Sequence, residues 1–287
     1  MNDPASAAPP PALLAVFAHP DYEQFGTAGA LLACAMRGIA VHVLCATRGD
    51  AGEIGDPALA TPDTLGAVRE GELRDACRLL GFAPPTLLDY ADGGLTAADP
   101  DRLAREVAAH IRRLRPRVVL TFGANGGYGH LDHIAIHRAT LAAVAHAASA
   151  TSGEDTPDVA PPHRPDKLYT TAYPRSGIVQ VTADLVRHGF PALDFGDVQT
   201  LTADEIGTPD ADVTTVVPVD HFWSRRWASL RAHRTQYGPG HPFLQLPEDV
   251  VRGWMGVDRF VRLRPAPAPG ATLPDEDDLW AGLPLPA

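Results

Sequence analysis

Two short stretches concentrate the side chains able to do chemistry. The first is His19-Pro20-Asp21-Tyr22-Glu23, which puts an imidazole, a phenol and two carboxylates inside five residues, with Gly26 and Gly29 close behind. The second runs Gly123-Ala124-Asn125-Gly126-Gly127-Tyr128-Gly129-His130-Leu131-Asp132-His133, with His137 one helical turn further on. Four glycines within seven residues permit unusual backbone angles there. Histidines with nearby carboxylates are nitrogen and oxygen ligands for a borderline divalent cation, zinc above all, and a catalytic zinc keeps a position open for water. The ion lowers the pKa of that water towards about 7, a carboxylate takes its proton, and a second histidine stabilises the oxyanion or protonates the leaving group. That is amide or ester hydrolysis without a covalent intermediate. Competing templates are missing: there is no GxSxG elbow, no HExxH, no P-loop, and no GxGxxG beside the first cluster. The plainer roles, Asp21, Glu23 or Asp132 as helix caps and His137 as a half-buried helix residue, are compatible with this chemistry.

For the clusters to act together, the fold must bring them to one place. From Leu13 to Ala172, short apolar runs alternate with longer segments of helical period, the signature of βαβ units around a parallel sheet. Strands are expected at Leu13–Phe17, Val41–Ala46, Thr86–Asp89, Val118–Phe122 and Lys167–Ala172. Helices are expected at Gly26–Arg37, Asp63–Leu80, Ala97–Leu114 and Asp132–Ala148, with Gly38 and Gly81 as stop signals. Such a succession folds as a Rossmann-like, doubly wound α/β sheet, mostly parallel and covered by helices on both faces, in the order 3-2-1-4-5. Its ligand crevice opens where strands 1 and 4 lie side by side, which is where both clusters emerge. Ser149–Asp166 reads as a polar, Pro-rich surface loop, and residues 177–245 as a small C-terminal cap. Within the cap, Gly177–Val217 is ambiguous, and His221–Gln236 reads as a helix with Trp223, Trp227 and Leu230 on its apolar side. Residues 1–263 are expected to form one domain. The Pro-rich, acidic tail from Arg264 is expected to lie extended on the surface or to be mobile.

The chain has 287 residues, ample for a large buried core, and 45% of them are hydrophobic. Its 24 basic and 35 acidic residues leave a net charge of −11, which repels phosphate backbones and anionic lipid heads. Nucleic acid and membrane surfaces are therefore not expected partners. No stretch approaches the roughly 20 consecutive apolar residues of a membrane-spanning helix. The N-terminus lacks the basic region of a secretion signal. Cys34, Cys45 and Cys77 form no CxxC and cannot all pair, which favours a reducing, cytoplasmic setting. Oligomeric state stays open, since the Trp-bearing helix reads equally as core or as a homo-oligomer interface.

The sequence resembles the LmbE-like, or PIG-L, family of zinc-dependent N-acetylglucosaminyl deacetylases, which includes the sugar deacetylases of mycothiol and bacillithiol biosynthesis. Ala18-His19-Pro20-Asp21-Tyr22-Glu23 is similar to the family's AHPDDE segment and His130-Leu131-Asp132-His133 to its HPDH segment. Thr47–Glu53 (TRGDAGE), Arg69–Gly81 (REGELRDACRLLG), Asp89–Leu95 (DYADGGL), Ala232–Gln236 (AHRTQ) and Asp258–Phe260 match further family segments. The resemblance spans Leu13 to about Arg264. It implies His19 and His133 as zinc ligands, Asp21 as the general base on the attacking water, and His130 as the group that stabilises the tetrahedral oxyanion. It further implies that Asp132 orients His130, and that Arg69, Asp92 and Tyr128 face substrate. The implied reaction removes an N-acetyl or similar small N-acyl group from an amino-sugar-type substrate.

One position departs from the pattern. Tyr22 stands where the family carries an aspartate as third protein ligand. A phenol ligates only if the metal pulls down its pKa of about 10. Three outcomes follow: Tyr22 binds metal as a phenolate, Asp21 or Glu23 substitutes, or the metal is weakly held or lost. Besides the deacetylase, the sequence is compatible with a non-catalytic or weakly active family member that binds a sugar-like ligand, and with an amidase acting on thiol conjugates.

Overall fold

β1 (Ala12–Phe17) is apolar and buried at every position, as a strand covered by helices on both faces requires. The computed structural model describes residues 10–149, 160–193 and 205–286. Around β1, the strands β2 (Ala40–Cys45), β3 (Thr86–Leu87), β4 (Val118–Thr121) and β5 (Lys167–Thr171) run parallel in the order β3-β2-β1-β4-β5. The expected doubly wound topology is therefore present, with Leu13 paired to Val41 on one side and Val118 on the other. β3 is shorter than the sequence pattern suggests. Pro84 and Pro85 supply no donors ahead of it, and beyond Leu87 the chain keeps only single bonds to β2, from Leu88 N to Cys45 O at 2.9 Å and Tyr90 N to Ala46 O at 3.3 Å.

The helices α1 (Ala28–Ala35), α2 (Leu65–Leu80) and α3 (Pro100–Leu114) and the first-cluster side of the sheet follow the expected order, with starts two or three residues later than expected. Asp99 explains one such start: its carboxylate accepts from Asp101 N and Arg102 N, ahead of Pro100 at the first helical position. After β4 come a short turn, α4 (Gly126–Gly129), and the long helix α5 (Leu131–Ala148). Right-handed crossovers put α1 and α2 on one face and α3 and α5 on the other. Of the loop expected at Ser149–Asp166, residues 150–159 lie outside the described residues.

Two antiparallel strands extend the sheet to β5-β7-β6: β6 (Thr215–Pro218), at the end of the ambiguous stretch where the sequence allows a strand or two, and β7 (Val257–Arg264), which the sequence reading did not foresee. β7 escapes sequence reading because its buried side carries Asp258 and Arg262 beside Phe260, so charge stands where alternation predicts apolar residues. The cap also contains α6 (Arg175–Arg187), α7 (Trp223–Leu230), α8 (Pro242–Gln245) and α9 (Glu248–Met255). The helix expected over His221–Gln236 is thus shorter. Trp223 and Leu230 are buried on it and Trp227 is half-buried, in a satellite core with Leu185, Tyr237 and Val251.

The tail corrects an expectation. It is not merely superficial: Leu279 and Trp280 are buried in the main core, and the Glu276 carboxylate meets Lys167 Nζ at 2.6 Å, Tyr169 Oη at 2.5 Å and Arg262 Nη1 at 2.5 Å. A Pro-rich, acidic composition concealed one aromatic anchor and one carboxylate for which buried cations were waiting.

Asp258 ties the late strand to the early motif. The Thr27 side chain does not cap α1; instead Asp258 Oδ2 accepts from Ala30 N at 2.8 Å, placing a carboxylate at the helix N-terminus. Its other oxygen takes Arg226 Nη2 at 2.9 Å, and Arg226 also donates to the Met255 carbonyl. Both partners are buried. Removing one member of such a pair leaves a buried charge uncompensated, so Asp258→Ala should lose about 3–5 kcal/mol of stability in urea unfolding. The half-exposed Arg37–Asp278 pair should show about 1 kcal/mol or less on Asp278→Ala by the same assay.

Candidate metal centre and active site

The carboxyl ends of β1 and β4 are neighbours, and the two chemical clusters meet there as expected. His19 Nδ1 lies 3.3 Å from His133 Nε2, and the His130 ring stacks on that of His133 at 4.3 Å between centroids. Gly126 makes this approach feasible. It sits at φ +66°, and a Cβ on it would fall 2.9 Å from the His133 Cβ.

Hydrogen bonds fix which nitrogens are free. His133 Nδ1 is 3.0 Å from the Gly126 carbonyl oxygen, which can only accept, so Nδ1 carries the proton and Nε2 presents its lone pair. His19 Nε2 donates to Asp92 Oδ1 at 2.8 Å, with Asp132 Oδ2 at 3.4 Å, so His19 Nδ1 is the atom that faces His133. Two lone pairs opposed at 3.3 Å need a proton or a cation between them. Zinc–nitrogen bonds of about 2.0–2.1 Å in a tetrahedron place their nitrogens about 3.3–3.4 Å apart. The donor set therefore fits a divalent cation, with carboxylates behind one histidine and a carbonyl behind the other, as metal-bound imidazoles require.

The electrostatics agree. Burial works against a charged His19, but its bonds to Asp132 and Asp92 outweigh that and raise its pKa. Burial and the nearby His19 push His133 well below the ordinary range, leaving it neutral. Asp92 is driven down to about 2: its partial burial is outweighed by the bond from His19 and by Ala51 N, which donates at 2.8 Å.

His130 plays a different part. Its Nδ1 accepts from Asp132 N at 3.2 Å, which puts the ring proton on Nε2, and burial followed by the charge on His19 lowers its pKa. It offers a hydrogen-bond donor beside the His19 and His133 rings. One nitrogen from each of His19, His130 and His133 falls within a 4.8 Å sphere of separations. Asp132, expected to orient His130, meets that ring only through its backbone amide, while its carboxylate accepts from Gly93 N at 2.8 Å and Leu95 N at 3.0 Å beside His19. Asp92, expected to face substrate, holds His19.

Tyr22 is half-buried against the rings of Phe122 and His133, and its hydroxyl bonds the Tyr128 hydroxyl at 2.6 Å. Burial, and then Tyr128 and Asp21, raise its pKa well above 10, the opposite of what a phenolate ligand needs. Glu23 is no substitute, because its oxygens are committed to His233, Gln24 and the Asp21 amide. Asp21 is buried with Oδ2 3.3 Å from Arg69 Nη2, and burial raises its pKa despite that cation. Arg69 is equally buried and clamps two loops, donating to Gly49 O at 2.6 Å in one and to Pro20 O at 2.9 Å and Asp21 in the other. Gly49 is required there: at φ +68°, a Cβ would sit 2.3 Å from the guanidinium. His137 stands apart, donating from Nδ1 to Phe122 O at 2.8 Å. Sequence reasoning missed the partnership of Glu23 with His233, although the AHRTQ segment that carries His233 was its signal.

Fold and site together define a doubly wound α/β protein with a histidine–carboxylate centre, suited to a divalent cation, at its switch point. The chain belongs to the PIG-L family. The model described as "GlcNAc-PI de-N-acetylase" matches residues 14–144. A relative from Acidothermus cellulolyticus, named 1D-myo-inositol 2-acetamido-2-deoxy-alpha-D-glucopyranoside deacetylase, is 33% identical over 94% of each chain. Among solved structures, the N,N'-diacetylchitobiose deacetylase of Pyrococcus horikoshii is similar with a TM-score of 0.58 at 16% identity, covering 90% of this chain and 88% of that one. The 4-carboxy-2-hydroxymuconate hydratase of Pseudomonas putida matches equally well, with a TM-score of 0.58 at 18% identity over 90% of this chain and 98% of that one. At these identities the structural likeness carries the fold alone, and the reaction must be argued from the site.

Arg69→Leu should leave Asp21 buried without its cation and cost about 3–5 kcal/mol at neutral pH. Asp21 already has a raised folded-state pKa, and losing Arg69 raises it further. A carboxyl raised on folding destabilises as pH rises past its unfolded value near 4, so urea unfolding at pH 4 should recover part of the loss seen at pH 7.

Proposed function

We propose that this chain is a zinc-dependent hydrolase that removes an N-acetyl, or similar small N-acyl, group from an amino-sugar substrate, with an N-acetylglucosaminyl inositol as the first candidate. The observation that carries this reading is the pair of bare nitrogens, His19 Nδ1 and His133 Nε2, opposed at 3.3 Å with a proton donor beside them. The relative named for an inositol glucosaminide supports the substrate class, since it is similar over nearly the whole chain.

His19 and His133 hold the ion, which when bound supplies a Lewis acid for the amide carbonyl and for the attacking water. Asp21 takes the proton of that water, a task suited to a carboxylate whose pKa burial has raised towards the working range. His130 Nε2–H stabilises the oxyanion that develops on the carbonyl carbon's oxygen. Asp92 and the Asp132 carboxylate keep the His19 ring turned. Tyr128, half-buried beside the His130 and His133 rings, would orient the sugar, while Arg69 holds Asp21 in place. The three cysteines are free and buried, in keeping with a cytoplasmic setting. Among the described residues no helix is long and apolar enough to cross a membrane.

A second reading is favoured by Tyr22. With its hydroxyl engaged by Tyr128, the chain contributes no carboxylate at that position, and the ion is held by fewer protein ligands. This reading makes the chain a weakly active or non-catalytic sugar binder.

Elemental analysis after purification without chelator, together with amide hydrolysis assays on N-acetylglucosaminyl inositol and on thiol conjugates, separates the readings. For the deacetylase we expect near-stoichiometric zinc, and on Asp21→Asn a loss of roughly 10²–10⁴ in kcat with the metal retained. Asp92→Ala should weaken metal binding about 10- to 100-fold in a chelator competition. Native protein empty of metal that fills only on Tyr22→Asp would favour the binding protein, and hydrolysis confined to thiol conjugates would favour an amidase.

A further inference from the structure

Beneath the site lies a buried ionisable pair that the reaction itself does not use. Asp21 has φ +83°, in the left-handed region that non-glycine residues rarely occupy. This backbone turn aims its carboxylate, and something must hold it. Its amide donates to Glu23 Oε2 at 2.9 Å, and its carbonyl accepts from Gln24 N at 2.9 Å. Glu23 is wholly buried. Its Oε1 accepts from Gln24 Nε2 at 2.8 Å and from His233 Nε2 at 2.5 Å, the latter from a residue 210 positions along the chain. Ser229 Oγ steadies Gln24 Oε1 at 2.7 Å. His233 is also wholly buried, and its Nδ1 has no hydrogen-bond partner. A buried ring nitrogen left unpaired is costly, so this histidine is kept for what its other nitrogen does. Burial opposes charge on His233 and Glu23 alike, but each partner's charge overrides it, raising the pKa of the histidine and lowering that of the glutamate.

We propose that Glu23 and His233 are positioning residues for Asp21: Glu23 pins the Asp21 amide in its left-handed turn, His233 pins Glu23, and the Ala232–Gln236 segment thereby sets the aim of the base. The proposal rests on the reading of Asp21 as general base. Asp21, Glu72 and Arg69 are the other charged groups around the pair. Glu72 is occupied by Thr235, whose N and Oγ1 donate at 2.9 and 2.6 Å, and Arg69 by Asp21 and two loop carbonyls. No neighbour therefore stands ready to replace His233.

The test compares the native full-length chain, zinc-loaded, with Glu23→Ala, His233→Ala and His233→Gln, the last retaining a side-chain N–H donor. Amide hydrogen exchange by NMR reads the pinning directly. Asp21 N should exchange about tenfold faster or more in both alanine variants, while Ala46 N, bonded to Phe17 O in the adjoining sheet, keeps its protection. His233→Gln should restore most of the protection. In turnover of N-acetylglucosaminyl inositol, the alanine variants should lose about 10- to 100-fold in kcat, with KM within about twofold and zinc content unchanged, and His233→Gln should rescue most of that loss. Unchanged exchange at Asp21 would overturn the proposal. So would a joint loss of Ala46 protection and zinc content with a raised KM, which would make the pair a structural support only. Should the native enzyme turn over no acetamido sugar, the assigned reaction fails, and the exchange data still decide whether the pair pins Asp21.

Discussion

The architecture of this protein depends on two imidazoles held nitrogen to nitrogen across 114 residues of sequence. Opposed lone pairs repel unless a proton or a cation lies between them, and the surrounding groups hold both rings in the orientation that sets this contact. The Gly126 carbonyl takes one proton, and Asp92 with Asp132 takes the other. Asp132 is the knot. Its amide donates to the His130 ring, its two oxygens gather the Gly93 and Leu95 amides, and the same carboxylate borders His19. The β1–β4 pairing makes all this possible, because only a doubly wound order puts those two strand ends side by side.

Around that contact lies an unusual amount of buried charge. Asp21 meets Arg69, Glu23 meets His233, and Asp258 meets Arg226, each pair almost wholly out of water. Such pairs contribute little net stability over apolar side chains of the same volume, but they tolerate no half measures, since one member alone is a buried unpaired charge. Each also links chain segments far apart in sequence. The C-terminal third thus reaches the first motif twice, through His233 beneath Asp21 and through Asp258 at the start of α1. The tail adds a third anchor at the sheet edge, where Glu276 answers Lys167 and Arg262.

Local patterns were legible where physics is local. Five parallel strands announced themselves as apolar runs, because a strand covered on both faces has no reason to alternate. Gly81 ended α2 in the left-handed conformation that its position required. β7 was not legible, because its inward residues Asp258 and Arg262 are charged and find their partners only in the folded protein. The tail misled for a similar reason: composition averages over residues, and one buried Trp280 outweighs many prolines. Nor does the sequence mark Arg69 as a buried residue that joins two loops through Gly49, Pro20 and Asp21.

The sequence by itself determined the fold class, the strand order through the switch point, and the two clusters whose histidines meet there. These follow from periodicity, turn residues and the handedness of crossovers, all of which act over a few dozen residues. Tertiary structure alone decided what each side chain does on arrival. Whether Asp92 holds a histidine or a sugar, whether Tyr22 points at a metal or at Tyr128, and which nitrogen of His130 carries the proton are all set by hydrogen-bond partners from distant segments. A side chain's type limits its chemistry, but its protonation state and direction are properties of its neighbours, and only the folded chain assembles them.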